Sequence, residues 1–130
     1  MSWKTAVVAR LLNAAPIASA VATRINWTRR PQGETLPSIV VETITDPRPQ
    51  TMDGPDSIRA SRIRVHCNAA TEADADALAE PVIAALTPAG SFGGVWFDNS
   101  YVDQVRPTGG DTDDGFIHRT SIDFIIWHKG

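Results

Sequence analysis

A single cysteine, Cys67, stands in 130 residues. That excludes an intramolecular disulfide, and folding in a reducing, cytosolic compartment fits it best. No apolar run approaches the roughly 20 residues that a membrane-spanning helix needs. Lys4 and Arg10 interrupt any apolar core that a secretory leader would require. Asn26-Trp27-Thr28 matches a glycosylation acceptor, but without secretion it carries no meaning. Positive charge is not in excess: the net charge is -3, a poor balance for non-specific nucleic-acid binding. Gly90, Gly93 and Gly94 lack the Lys-Ser/Thr that completes a phosphate-cradling loop. His118 and His128 have no metal-ligand spacing with Cys67, and no internal repeat is visible. No cofactor or metal is therefore expected.

With 42% hydrophobic and 21% charged residues, the chain has the composition of one ordinary globular domain covering 1–130. Its charge is unevenly spread. Residues 1–65 hold nine Lys+Arg against five Asp+Glu, and residues 66–130 hold three against ten, giving +4 and -7. The two halves either neutralise each other inside one fold or meet between subunits joined head to tail.

The organising stretch runs from Arg59 to Leu86. Ser61, Ile63, Val65, Cys67 and Ala69 alternate with Arg62, Arg64, His66 and Asn68, a period of two that predicts a half-buried strand. Thr71 then caps a helix whose first turns carry Glu72, Asp74 and Asp76, where the helix dipole favours negative charge. Ala75, Leu78, Ala79, Val82, Ile83 and Leu86 form its apolar stripe. Pro81 predicts a kink or two helical segments.

Before this stretch, Ser2 to Asn13 reads as a helix, and Pro16 opens a short second one ending near Val21. Arg24 to Trp27 and Ser38 to Thr45 read as strands, separated by a loop over 28–37. The prolines and Asp53-Gly54 of the 46–56 segment predict an irregular loop, long enough to be functional. After it, 87–94 is a breaker region. Val95–Asp98 and Tyr101–Arg106 read as strands across an Asp98-Asn99-Ser100 turn. An acidic loop over 107–115 leads to a last strand, 116–127. The order predicts an α+β fold, an antiparallel sheet with helices packed on one face.

The chemistry is sparse. His66 and Cys67 are strand neighbours and point to opposite faces, so they do not pair. Cys67 reads as a small core residue, and His128, two residues from the end, as solvated. Asp111-Thr-Asp-Asp-Gly115 resembles the start of a calcium loop, but Ile122 stands where the bidentate acid belongs; an acidic turn is the simpler reading. The stripe Arg62, Arg64, His66 faces either a polyanion or, as the better reading, Glu42 and Asp123 on neighbouring strands.

Several segments in order then match a known pattern. They are the N-terminal helix with Leu11-Leu12, the alanine-rich segment before Arg24-Ile25, and Arg30-Pro-Gln-Gly-Glu-Thr-Leu-Pro-Ser-Ile-Val-Val41. Asp53-Gly-Pro follows, then Ser61-Arg-Ile-Arg-Val-His-Cys-Asn-Ala69, the helix 71–86, and His118-Arg-Thr-Ser-Ile-Asp-Phe-Ile-Ile-Trp-His128. Over nearly its whole length the chain resembles the tail completion, or tail terminator, proteins of long-tailed phages, prophages and gene transfer agents. The resemblance implies a non-enzymatic virion protein at the tail-neck junction, assembled in the host cytoplasm. It implies a self-assembled ring, usually a hexamer, that caps the tail tube and joins the head connector or stopper protein. DNA would pass through its lumen without sequence-specific binding, and no membrane is involved. A neighbouring stopper or adaptor of the connector is the alternative, then a small-ligand-binding domain with an enclosed pocket.

Candidate subunit or tube contacts are charged. They are Arg29, Arg30, Arg62 and Arg64 in the basic half, Arg48 and Asp53 in the 46–56 loop, and Asp111, Asp113 and Asp114 in the acidic loop.

Overall fold

The computed structural model describes residues 2–29, 35–48, 50–52, 54–55, 58–112 and 115–129. Arg30, Asp53, Asp113 and Asp114 lie outside the described residues. The Ser2 hydroxyl accepts the Thr5 N–H at 3.2 Å and starts α1, Trp3–Leu12. Pro16 sits in the first turn of α2, Ala15–Val21, where its missing N–H has no helical partner to lose. Then come β1 (Ile25–Trp27), β2 (Ser38–Thr45), β3 (Gln50–Thr51), β4 (Gly54–Pro55) and β5 (Ile58–Ala69). Helix α3 (Glu72–Leu86) is followed by β6 (Gly90–Phe92), β7 (Val95–Phe97), β8 (Tyr101–Pro107), β9 (Gly110–Thr112) and β10 (Gly115–Lys129).

Eight strands form one sheet in the order β1-β2-β5-β10-β7-β6, with β8 and β9 also paired to β10. Every pair is antiparallel except β1 with β2, so the expected α+β architecture stands. The period-two pattern of β5 puts Ile63, Val65 and Cys67 on one side. There they meet Ile122, Phe124 and Ile126 of β10, Leu78, Val82 and Leu86 of α3, and Val7 and Leu11 of α1. Each such side chain, fully buried, contributes about 1.5–3 kcal/mol of apolar transfer. The Thr71 hydroxyl caps α3 by accepting the Asp74 N–H at 3.2 Å.

Six sequence expectations are corrected. Of the two outcomes expected at Pro81, a division into two helices is excluded, because α3 is one helix of 15 residues. Packing of Leu78, Val82 and Leu86 against the sheet outweighs the one hydrogen bond that proline removes. The 46–56 segment is not wholly irregular, since β3 and β4 pair as a small hairpin with Met52 fully exposed at its turn. The breaker region contains β6, joined to β7 through Gly93 and Gly94 at φ 58° and 81°, the left-handed geometry that a tight hairpin turn demands. Strands β7 and β8 do not face each other across Asp98–Ser100; both pair with β10, one after the other along its edge. The 107–115 loop holds β9, which folds back on the start of β10.

The sixth concerns His128, which is buried, not solvated. It packs on the helix side between Trp3 and Phe97. Arg10 is buried nearby, with its guanidinium 4.4 Å from the Phe92 ring and 4.8 Å from that of Phe97. One nitrogen donates to the Pro88 carbonyl at 2.7 Å, while Nε and Nη1 find no hydrogen-bond acceptor among the described residues. The two ring faces stand in for acceptors, and burial lowers the Arg10 pKa to about 10.

Candidate functional site: the open face of the sheet

The helices cover one face of the sheet and leave the other open, with polar side chains along its middle. Register decides what meets there. The β5–β10 pairing sets Arg64 opposite Asp123, His66 opposite Ser121 and Asn68 opposite Arg119. The β2–β5 pairing sets Glu42 opposite Arg64 and Val40 opposite His66.

Asp123 is 2% exposed, yet it is ionised and satisfied. It accepts from Arg64 Nε at 2.6 Å, Arg64 Nη2 at 3.3 Å and Gln104 Nε2 at 3.0 Å. The Arg64 hydrogen bond leads the causes that hold its pKa below the usual carboxylate range. A second acid, Glu42, lies 3.7 Å from Arg64 Nη1. Arg62 reaches Asp103 on β8 at 2.7 Å, within the same chain. The basic stripe is thus largely neutralised inside the chain, the simpler of the two readings.

Glu42, His66 and Ser121 line up as acid, imidazole and hydroxyl. His66 Nε2 lies 3.3 Å from Glu42 Oε1, and Nδ1 lies 2.7 Å from Ser121 Oγ. That order belongs to nucleophile-activating relays. Here the hydroxyl is 1% exposed, and it is also hydrogen-bonded to the Thr108 hydroxyl. A substrate carbonyl has no approach to Ser121 Oγ, so the row works as a cross-strand clamp. Burial is the main cause that lowers the His66 pKa, opposed by its bond to Glu42, and the ring is neutral near pH 7.

Arg29 sits at the rim of this face. The preceding Thr28 has φ 71°, a left-handed conformation that costs a β-branched residue about 1–3 kcal/mol. A 2.7 Å bond from its N–H to the Val41 carbonyl fixes that turn, after which Arg29 stands exposed. Thr28, Arg29, Val40, Glu42, His66, Asn68 and Arg119 enclose an open cleft of about 280 Å³. Arg119, which is not among the expected contacts, donates to Asn68 Oδ1 at 2.8 Å. No sequence signal marks it, because only the β5–β10 register brings it beside Asn68.

Of the other expected contacts, Arg48 is largely exposed and donates to Asp46 at 3.1 Å. Asp111 lies exposed in β9, opposite Phe116 of β10. Cys67 is buried among apolar side chains on the helix side, and burial pushes its thiol up to about 12. Among the described residues, no group of His, Cys, Asp and Glu is arranged to hold a metal ion, and no helix is long and apolar enough to cross a membrane.

This arrangement, one helix-covered face and one polar face, coincides with a family-level match. Residues 5–129 fit the family model of tail completion protein gp17. The chain belongs to the tail completion protein gp17 family. The matched span takes in all ten strands and nearly all of the three helices of the described residues. As a member of the tail completion family, the chain is a structural protein of a phage-type tail. Its fold also recurs in a solved chain described as "Virion of native gene transfer agent (GTA) particle". That chain is 20% identical, with a TM-score of 0.63, and the match covers 98% of this chain and 94% of that one. No curated protein is significantly similar to this tail completion family member.

Proposed function

We propose that the protein forms a closed homomeric ring that caps the completed tail tube and joins it to the head connector. The match to the tail completion family over residues 5–129 carries this reading. The sheet supports it, with one face packed by helices and the other lined by ordered, mutually paired polar groups, a surface suited to contact rather than catalysis. The three clefts at Pro16–Pro81, at Glu72–Arg119 and at Arg29–Arg119 are half open to solvent rather than enclosed. The protein acts without cofactor or turnover, at the tail-neck junction of the particle, and DNA crosses the ring without base-specific contacts. The ring is a hexamer, the number that the family resemblance implies.

Native mass spectrometry of the protein at rising concentration, followed by reconstruction of the tail-neck region, tests this. A ring between tube and connector is the expected result. A ring seated one layer higher, against the portal, would assign the chain to the stopper or adaptor role.

A further inference from the structure

The open cleft at Arg29 and the outer face of α3 have opposite charge and lie on opposite sides of one sheet. Resting on the ring reading, we propose that the cleft of one subunit receives the acidic outer face of α3 from the next subunit.

The cleft presents two guanidinium groups, Arg29 and Arg119. Its own carboxylate, Glu42, is already engaged by His66 at 3.3 Å and Arg64 at 3.7 Å. Arg119 spends one donor on Asn68, and a guanidinium has five. Thr28, at φ 71°, sets the turn before Arg29, and both line the cleft. Cationic donors in a half-enclosed cleft fit carboxylates from outside.

Helix α3 supplies them. It carries Glu72, Asp74, Asp76 and Glu80 and contains no lysine or arginine. Glu72, Asp74 and Glu80 are exposed, and among the described residues no ion pair uses them. Beside Asp74 runs a groove of about 410 Å³ lined by Pro16, Ala20, Pro37, Ala77 and Pro81, small and stiff residues over which another backbone can pass closely.

The geometry favours a head-to-tail contact over a twofold one. Cys67 and Val65 face α3, whereas His66 and Asn68, alternating with them on β5, face the cleft. A subunit giving its helix face to one neighbour therefore turns its sheet face to another. That is a heterologous contact, which propagates head to tail and closes when the rotation per step divides the circle.

Cross-linking tests this, because Cys67 is buried and leaves no reactive thiol in the background. Arg29→Cys and Asp74→Cys combined in one chain, treated with a short bismaleimide in assembled particles, should give a ladder of covalent multimers on a denaturing gel. Either single variant should give monomer. As a check independent of new cysteines, Asp74→Arg/Glu80→Arg and Arg29→Glu/Arg119→Glu should each lose self-association. Their equimolar mixture should regain it, as oligomers holding equal numbers of the two. Monomer from the double-cysteine chain in particles that do contain a ring would overturn the contact and leave the ring standing. So would a ladder obtained instead with Arg29→Cys/Asp111→Cys, which would seat the acidic hairpin in the cleft. Particles without any ring of this chain would remove the ring and the contact together.

Discussion

The His128 ring stacks on the Trp3 indole, with centroids 4.4 Å apart and planes 20° from parallel. It pins the start of α1 to the end of β10, the two ends of the described chain. Ser61 Oγ donates to Asp46 Oδ1 at 2.9 Å, so its single proton is spent. His128 Nε2, 2.8 Å from Ser61 Oγ, must then be the donor, and Nδ1 is a buried acceptor without a hydrogen-bond partner among the described residues. Protonating Nδ1 would bury an imidazolium with no acceptor for its second N–H. Burial accordingly lowers the His128 pKa to about 4.

This fixes a pH dependence. The unfolded chain binds the His128 proton at about pH 6.5, and the folded chain resists it until about pH 4. Between those values the unfolded state holds more protons, so stability rises with pH. The His128 contribution should be complete above about pH 6.5 and lost as pH falls through about 4. Chemical denaturation from pH 7 to pH 4 should show the decline, and His128→Phe should flatten part of it. An unchanged slope in that variant would show that other groups set the dependence.

Cys67 should resist thiol reagents in the folded protein, because its thiol is buried and pushed up to about 12. Labelling should appear only across the denaturation midpoint. Rapid labelling under native conditions would contradict the packing of α3 on β5.

Arg64 and Asp123 make the most consequential polar pair. Removing the guanidinium by Arg64→Met leaves a buried carboxylate with Gln104 as its remaining side-chain donor. The expected loss is about 2–3 kcal/mol, below the ~3–5 kcal/mol of a fully buried pair because Arg64 is partly solvated. Arg64→Met/Asp123→Leu should recover most of it. A double variant as unstable as the sum of the singles would show that the two residues do not interact.

The regular elements were legible where pattern and capping agreed. Ser2 and Thr71 begin α1 and α3 as expected, and the alternation in β5 assigned both of its faces correctly. What escaped was set by long-range pairing. Asp103 finds Arg62 only because β8 lies beside β10 and, through it, β5. His128 is buried only because α1 returns to cover the end of β10. Pro81 does not split α3, whose Leu78, Val82 and Leu86 stay packed on the sheet. Of the candidate site, Arg29 and the stripe Arg62, Arg64, His66 with its partners Glu42 and Asp123 are legible in the sequence, whereas the Arg119–Asn68 contact and the reach of His66 to Ser121 and Thr108 need the register. Arg30, Asp53, Asp113 and Asp114 lie outside the described residues, so their part in contacts stays a proposal.

The most direct measurement is a reconstruction of the tail-neck region of assembled particles. A closed ring of this chain at the end of the tail tube, subunits joined head to tail, most directly with six-fold symmetry, is the expected result. A symmetric dimer, or a tail end closed by some other protein, would contradict it.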